Sequence, residues 1–263
     1  MRPVRRGRGG RIGESMGGPY NVRPPFCLKG TALTLPSRIL LCAGLLLAAA
    51  LARAEIKVGV IPSSTGPAAV VGIPQKNTVA LLPRENGGQA VEYIVLDDAS
   101  HPTNAVTNAR KLLSEHKVDT LIGPSTTPAA LAILALIAEA RTPLLTTVGS
   151  SAVILPPDER KKWVFKTTQN DDLIAAALIA NMSAAGVRSV GFIGFSDPYG
   201  ENWFKVFAPL AEKAGIRIVA SERYNRTDQT VTGQVLKIAA ARPDAVLIAA
   251  TGGPAVLPQT SLQ

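Results

Sequence analysis

Short apolar runs alternate with longer stretches in which apolar residues recur every three or four positions, from residue 55 almost to the end of the chain. The short runs predict buried β-strands, and the longer stretches predict amphipathic helices. Strands are predicted at 56–61, 91–97, 120–122, 143–146, 164–167, 189–194, 217–221 and 245–249. Helices are predicted between them at 74–85, 102–115, 128–140, 171–185, 199–214 and 230–241. Such alternation is typical of β-α-β units, so the sequence predicts an α/β fold with parallel sheets.

Glycine and proline residues indicate where some of the predicted helices end and begin. Asn86-Gly87-Gly88 predicts the end of the first helix, because glycine is favoured just after a helix C-terminus. Pro102 and Pro128 stand where a helix can begin, since the first helical position needs no N–H donor.

The alternation is interrupted by an irregular stretch at 150–161 and then starts again. The two blocks predict two α/β lobes, at 55–168 and 169–263, each with a parallel sheet flanked by helices. The second block holds only three or four strands, which leaves an open sheet edge and a face with little cover. We therefore expect the second lobe to be incomplete, as in a C-terminally truncated chain.

An apolar run at 39–52 precedes this pattern and has the features of an export signal. Arg38 gives it a positive flank, and Ala52-Arg53-Ala54 has the small-x-small form that signal peptidase cleaves. The run has 14 residues, whereas a membrane-spanning helix needs about 20. Residues 1–54 are therefore predicted to be a leader with a secretory signal peptide, cleaved after Ala54. A retained membrane anchor or a buried helix is the alternative interpretation.

The positive charge of the chain is concentrated in this leader. The whole chain carries +9, but residues 1–54 hold nine of its Lys and Arg residues and a single acid, Glu14. The remaining 19 basic and 18 acidic residues give the mature chain a net charge of +1, so a nucleic-acid partner is not expected.

Both cysteines, Cys27 and Cys42, also lie in the leader, which excludes cysteine catalysis and thiolate metal sites in the mature protein.

Three loops predicted at the carboxyl ends of strands combine hydroxyl side chains with glycine or proline. They are 62–67, 123–128 and 146–151. Ligands of open α/β sheets bind at these ends, where hydroxyls and backbone N–H groups can donate to a small anion such as a carboxylate. Each loop alone has an equally ordinary explanation, since Thr127 before Pro128 is also a helix cap. Three such loops on one edge favour a binding site.

Enzymatic activity has little support in the sequence. Asp97-Asp98-x-x-His101 suggests a metal or acid/base cluster, but His116 is the only other histidine, which leaves no third conventional ligand nearby. An Asp pair before a helix that begins with proline is more simply a cap. None of the motifs G-x-G-x-x-G, G-x-x-x-x-G-K-[ST] and G-x-S-x-G follows a predicted strand. We predict a protein that is not an enzyme and holds no cofactor or metal ion.

Several short motifs occur in a characteristic order from residue 55 onward. They are Glu55-Ile-Lys-Val-Gly-Val-Ile61, Thr65-Gly66-Pro67, Glu85-Asn-Gly-Gly88, Asp97-Asp98, Leu121-Ile-Gly-Pro124 and Asp197-Pro-Tyr-Gly200. Together, behind a signal peptide, these motifs resemble a periplasmic substrate-binding protein of the branched-chain amino acid (Leu/Ile/Val-binding) family of ABC transporters. The segment Gly252-Gly-Pro-Ala-Val-Leu-Pro-Gln259 also resembles the branch associated with aromatic acids, which leaves the ligand open.

This resemblance implies the type I periplasmic-binding-protein fold, whose two lobes close around a ligand. In that family a hydroxyl residue of the loop after the third strand contacts the ligand carboxylate. The next loop supplies a backbone group and a hydroxyl, and a tyrosine reaches in from the second lobe. In this sequence these contacts correspond to Ser125, Thr126, Thr127, Val148, Ser150 and Tyr199. Thr65 and Thr251, at two further strand ends, are added to the predicted ligand-binding residues.

The resemblance also implies a function. The protein is expected in the periplasm, where it captures a branched-chain amino acid or an aromatic or short-chain acid by hinge closure and delivers it to the membrane subunits of an ABC permease. Two other classes stay open: a secreted ligand-sensing module of a receptor or signalling system, and a cytoplasmic ligand-responsive regulator. The regulator is disfavoured because an export signal, and no helix-turn-helix, precedes Glu55.

Overall fold

The alternating segments form strands and helices in a computed structural model that describes residues 55–263. The strands are β1 (Ile56–Val60), β2 (Glu85–Asn86), β3 (Gln89–Val95), β4 (Thr120–Ile122), β5 (Leu144–Thr146), β6 (Val164–Lys166), β7 (Ser189–Phe195), β8 (Arg217–Tyr224) and β9 (Ala245–Ala249). The helices are α1 (Ala69–Val79), α2 (Pro102–Lys111), α3 (Thr127–Ala140), α4 (Asp171–Ala184), α5 (Pro198–Lys213), α6 (Thr232–Ala240) and α7 (Val256–Leu262). A π-helical turn, Leu112–His116, extends α2. The predicted signal peptide lies outside the described residues.

The first six strands form one sheet in the order β2-β3-β1-β4-β5-β6. All neighbours run parallel except β2, which pairs antiparallel with β3. In the register of the sheet, Val58 of β1 lies opposite Tyr93 on one side and Thr120 on the other. Parallel strands bring their carboxyl ends to the same edge, so the loops after β1, β3, β4 and β5 share that edge.

The last three strands form a second parallel sheet in the order β8-β7-β9. All seven residues of the central strand β7 are buried, as expected of a strand that is covered on both faces. On one face, Phe192 packs with Trp203 and Phe207 of α5. On the other face, Phe195 packs with Val235 of α6. The connection between the two sheets runs through residues 167–170, where the predicted lobe boundary falls.

The two faces of the first sheet are covered by different helices. Ala105 of α2 and Ile133 of α3 pack with Leu121 on one face. On the other face, Val79 of α1 packs with Val58. Among residues 55–263, no helix has the length and the apolar character needed to cross a membrane.

The prediction for the first helix is wrong in position. The helix spans Ala69–Val79 instead of 74–85, and it contains Pro74 in its interior. Its first turns lie against the loop after β1, since an added Cβ on Gly72 would be 2.0 Å from the carbonyl oxygen of Ser63. Asn86-Gly87-Gly88 does not end this helix but forms the turn between β2 and β3. Gly87 and Gly88 have φ values of 58° and 78°, which suit a tight hairpin turn.

The other predicted elements lie close to the observed ones. The strands predicted at 120–122 and 245–249 have the observed bounds, and α2 begins at Pro102 as predicted. The strand β8 is longer than the predicted 217–221 and ends at Tyr224. Its extra residues pass beside β7, with Tyr224 in register with Phe195.

Candidate functional site

The loops at the carboxyl edges of both sheets line one cavity of about 250 Å³. The loops after β1, β3 and β4 form one wall, and the loops after β7 and β8 form the other. The first wall consists of Pro67, Ser100, His101, Pro102, Thr126 and Pro128, and the second of Ser196, Asp197, Asn225, Arg226 and Thr227. A cavity bounded by strand ends from two sheets is a usual position for a ligand in α/β proteins.

Arg226 is a cation on the wall formed by the second sheet. Its Nε donates to Oδ2 of Asp197 over 2.6 Å, and its guanidinium lies 4.1 Å from the ring centroid of Phe195. Its Nη1 reaches Oγ1 of Thr251 at 3.5 Å. Arg226 is not among the residues predicted from the sequence, because the strand before it was predicted to end at 221 and extends in the structure to Tyr224.

The loop after β4 holds three of the predicted binding residues in different environments. The hydroxyl of Ser125 accepts from the backbone N–H of Ser63 over 2.8 Å and donates to Oε1 of Gln75. Thr126 is buried and lines the cavity. Thr127 is 1% exposed, and its Oγ1 has no hydrogen-bond partner among the described residues. A buried hydroxyl without a partner is costly, which makes it a candidate donor to a ligand.

The loop after β5 carries two more predicted residues, Val148 and Ser150, and both are buried. The carbonyl oxygen of Val148 accepts from Oγ1 of Thr168 over 2.8 Å. The hydroxyl of Ser150 accepts from the N–H of Ala152 over 3.3 Å at the start of a 3₁₀ turn. Thr146 has a buried Oγ1 that, within the described part of the chain, lacks a partner.

Asp171, the first residue of α4, connects this loop to the second sheet. An added Cβ on Gly149 would lie 2.5 Å from Oδ1 of Asp171, and Oδ2 accepts from Nδ2 of Asn202 on α5 over 2.9 Å. Burial raises the pKa of Asp171, and the nearby Lys166 ammonium opposes this shift. Burial also lowers the pKa of Lys166, whose Nζ donates to the carbonyl oxygen of Thr168 over 2.9 Å.

Tyr199, the second residue of α5, lies within an aromatic group. Its ring centroid is 6.3 Å from that of Phe195 and 6.5 Å from that of Trp203. Burial and the Asp171 carboxylate raise the pKa of Tyr199 to about 12, so its phenol is a neutral hydrogen-bonding group at physiological pH.

Thr65 is exposed and donates through Oγ1 to Oδ2 of Asp97 over 2.7 Å. The other oxygen of Asp97 accepts from the backbone N–H groups of Ser64 and Ala99 at 2.8 and 2.9 Å. Oδ1 of Asp98 accepts from the N–H of Ser100 over 2.8 Å. Asp97 therefore joins the loops after β1 and β3, whereas the Asp98 side chain bonds within the loop after β3. No group of three or more His, Cys, Asp or Glu side chains suited to a metal ion occurs between residues 55 and 263.

The predicted binding residues thus occupy several positions around the strand ends. Thr126 lines the cavity, Thr251 contacts its arginine, and Tyr199 follows the Asp197 that binds this arginine. The others, Ser125, Thr127, Val148, Ser150 and Thr65, lie in neighbouring loops outside the cavity lining. Gln75, which contacts Ser125, was also missed, because a glutamine in a predicted helix carries no signal of its own.

The chain is similar in sequence to a family of known proteins and to a curated relative. The sequence profile of a family described as "Periplasmic binding protein" matches residues 55–259. A curated relative, the Leu/Ile/Val-binding protein BraC3 of Rhizobium johnstonii, is 26% identical over 211 residues, which are 75% of this chain and 55% of the relative.

Solved structures share the fold. An extracellular ligand-binding receptor from Rhodopseudomonas palustris HaA2 is 53% identical, with a TM-score of 0.78, over 80% of this chain and 58% of that one. A solute-binding protein of an ABC transporter from Rhodopseudomonas palustris BisB5, in complex with 3,4-dihydroxybenzoic acid, is 24% identical, with a TM-score of 0.67, over 74% of this chain and 54% of that one. This chain therefore spans little more than half the length of these relatives.

Proposed function

Because this chain belongs to the periplasmic binding protein family, we propose that it captures a small carboxylate solute and delivers it to an ABC permease. The observation that carries the proposal is the cavity of about 250 Å³ bounded by the carboxyl-edge loops of both sheets. A ligand held there contacts both sheets at once. Its binding therefore stabilises the arrangement in which the two sheets approach each other.

The polar groups around this cavity support a carboxylate as the ligand. A carboxylate only accepts hydrogen bonds, so it needs donors. Arg226 supplies a guanidinium to the cavity wall. Thr127 and Thr146 lie outside this lining, at neighbouring strand ends, and carry buried hydroxyls that have no partner among residues 55–263. A charge-assisted hydrogen bond from arginine is about twice as strong as a neutral one. A neutral solute of the same shape lacks the attraction between opposite charges and is expected to bind more weakly.

Contacts between the two sets of loops support closure as the mechanism. Gly252, after β9, packs so tightly on Pro67, after β1, that an added Cβ would lie 2.6 Å from the proline carbonyl oxygen. The helices α3 and α5 also contact each other. We infer that the ligand-bound form keeps these contacts, and that a docking permease distinguishes it from an open form.

The ligand class is narrowed by the relatives. The curated relative is a Leu/Ile/Val-binding protein, and the BisB5 protein holds 3,4-dihydroxybenzoic acid. Branched-chain amino acids and benzoate-type acids are therefore the first solutes to test, and short-chain acids, expected from the sequence, are the third group. No bond is made or broken in the proposed cycle.

A thermal-shift screen of the purified protein against these three groups of acids tests the proposal. One group is expected to raise the unfolding temperature in a concentration-dependent manner, since a ligand that binds only the folded state stabilises it. Calorimetry then gives the affinity of the responding acid. If no acid in the panel shifts the transition, binding of a small carboxylate is refuted.

Delivery to the permease is tested by deleting the gene. Cells without it are expected to lose uptake of the responding acid.

Export is tested separately. We propose that the leader is cleaved after Ala54, so N-terminal sequencing of protein from the periplasmic fraction should begin at Glu55. Full-length protein confined to the cytoplasm would contradict an extracytoplasmic role.

A further inference from the structure

Lys166, the last residue of β6, binds the segment that connects the two sheets. Its Nζ donates to the carbonyl oxygens of Thr168 and Gln169 over 2.9 and 2.5 Å, and to Oγ1 of Thr168 over 3.3 Å. An ammonium has three N–H donors, and these three acceptors engage them. The side chain thus holds two successive peptide groups of the connection 167–170 in one orientation.

The first half of this connection is fixed to the first sheet by other bonds. The N–H and the hydroxyl of Thr167 both donate to the carbonyl oxygen of Thr146 over 3.1 Å. The hydroxyl of Thr168 donates to the carbonyl oxygen of Val148 over 2.8 Å. Thr167 and Thr168 therefore move with the first sheet.

The second half of the connection is held more weakly. Among residues 55–263, the bond from Lys166 is the one hydrogen bond that joins Gln169 or Asn170 to the first sheet. Hinges are a few residues at the ends of elements that absorb changes in φ and ψ. A rotation of α4 against the first sheet is therefore concentrated at Gln169 and Asn170, where it changes the acceptors that Lys166 can reach.

The ammonium of Lys166 is also attracted to the start of α4. Burial lowers the pKa of Lys166, and the carboxylates of Asp171 and Asp172 oppose that shift. Asp171 packs against the loop after β5, since an added Cβ on Gly149 would lie 2.5 Å from its Oδ1. Lys166 thus has favourable contacts with both sides of the hinge in the arrangement in which two walls bound the cavity.

We propose that Lys166 is a positioning residue that stabilises the closed arrangement of the two sheets. Its ammonium holds the carbonyl oxygens of Thr168 and Gln169 in this arrangement, and opening of the cavity breaks the bond to Gln169. Lys166 does not line the cavity, so it acts on the solute only through the position of the walls. The inference rests on the closure that we propose as the mechanism of capture.

Substitutions at Lys166 separate this role from that of an ordinary surface lysine. In Lys166→Met the stem is kept and the donors are lost, so the closed form alone loses a hydrogen bond from a charged group. The acid that responds in the screen should then bind about tenfold more weakly in calorimetry. Lys166→Arg retains charged donors and should stay within about threefold of wild type. Lys205→Met, at an exposed position on α5, is the matched control and should leave the affinity unchanged.

The distance between the two cavity walls is the direct readout. Residues 55–263 hold no cysteine, so the exposed positions Thr103→Cys and Gln229→Cys place one spin label beside each wall. Without added acid, Lys166→Met should shift the distribution of label distances to longer values than in wild type and in Lys205→Met. A saturating amount of the responding acid should return the distance to that of acid-bound wild type.

Longer label distances together with weaker binding in Lys166→Met, both restored in Lys166→Arg, support the proposal. Lys166→Gln replaces Lys166→Met if the latter does not fold, as judged by urea unfolding. Unchanged label distances in the variant without donors overturn the proposal whatever its affinity, and the proposed function stands if wild type binds an acid. The distances are measured without acid, so a shift to longer values when no acid binds supports the hinge role and refutes only the capture of a carboxylate.

Discussion

The carboxylate of Asp197 is shared between the start of α5 and the cavity arginine. Oδ1 accepts from the N–H groups of Tyr199 and Gly200 at 2.8 and 3.2 Å, and Oδ2 accepts from Nε of Arg226 at 2.6 Å. Both charged side chains are largely buried, with 19% and 14% of their surfaces exposed. The position of the arginine therefore depends on the residue that caps the helix.

Removal of this carboxylate should destabilise the protein and disturb the cavity. Asp197→Ala loses a helix cap and leaves Arg226 without its partner, so the free energy of unfolding should fall by about 2 kcal/mol. Glu212→Ala, at an exposed position on the same helix, should change it by less than about 0.5 kcal/mol. Urea unfolding measures both. Equal stabilities of the two variants would show that the Asp197 contacts contribute nothing.

Thr127 should matter for binding and not for folding. Its hydroxyl is buried without a partner among the described residues, so Thr127→Val should leave the free energy of unfolding unchanged or raise it by about 1 kcal/mol. Ligand affinity should fall about tenfold, because a donor to the carboxylate is lost. Thr107→Val, at an exposed site on α2, is the control. Undiminished affinity in calorimetry would remove Thr127 from the binding site.

The buried Asp171 predicts a pH-dependent contribution to stability. Its folded-state pKa lies above the ordinary value of 3.8, so between these two pKa values the folded state binds more protons than the unfolded state. Stability from this group is therefore lost as pH rises through that window. Asp171→Asn retains an oxygen that can accept from Asn202 and removes the titration.

Urea unfolding across a pH series checks this. The stability of Asp171→Asn relative to wild type should increase as pH rises. The exposed neighbour gives the control Asp172→Asn, which should keep most of the wild-type loss, because burial contributes more than the Asp172 charge to the raised pKa of Asp171. Parallel curves for wild type and Asp171→Asn would contradict the raised pKa.

Gly252 should tolerate no side chain. It has φ 76° and ψ −166°, a conformation that is essentially restricted to glycine, and an added Cβ would lie 2.6 Å from the carbonyl oxygen of Pro67. Gly252→Ala should lower the free energy of unfolding by about 1–3 kcal/mol. It should also weaken ligand binding, because the added methyl group holds the loops after β1 and β9 apart. Gly253→Ala is a close control, because nothing lies within 4 Å of its added Cβ. Equal behaviour of the two variants in unfolding and calorimetry would refute this contact.

Much of the fold was predictable because burial imposes a regular pattern. The apolar runs at 120–122 and 245–249 gave the bounds of β4 and β9, and Pro102 marked the start of α2. The α/β fold class and the family resemblance drawn from short motifs are confirmed. The first helix was misplaced because β2 has only two residues, too few to leave a pattern before its glycine turn.

The candidate site was less predictable, because its chemistry arises from contacts between distant residues. Arg226 and Asp197 are 29 residues apart, and Gln75 and Ser125 are 50 apart. Strand-end position alone pointed to the loops but did not distinguish a hydroxyl that caps, such as Ser150, from one without a partner, such as Thr127. The assignment of the eight predicted binding residues stays a prediction.

The central claim is that a carboxylate group of a small solute is recognised between the two sheets. Calorimetry of the acid that responds in the thermal-shift screen, compared with its uncharged carboxamide of nearly the same shape, tests this most directly. We expect saturable binding of the acid and at least about a hundredfold weaker binding of the amide, since a charged hydrogen-bonding group is lost. Equal affinities for the two compounds, or no binding of any acid, would contradict it.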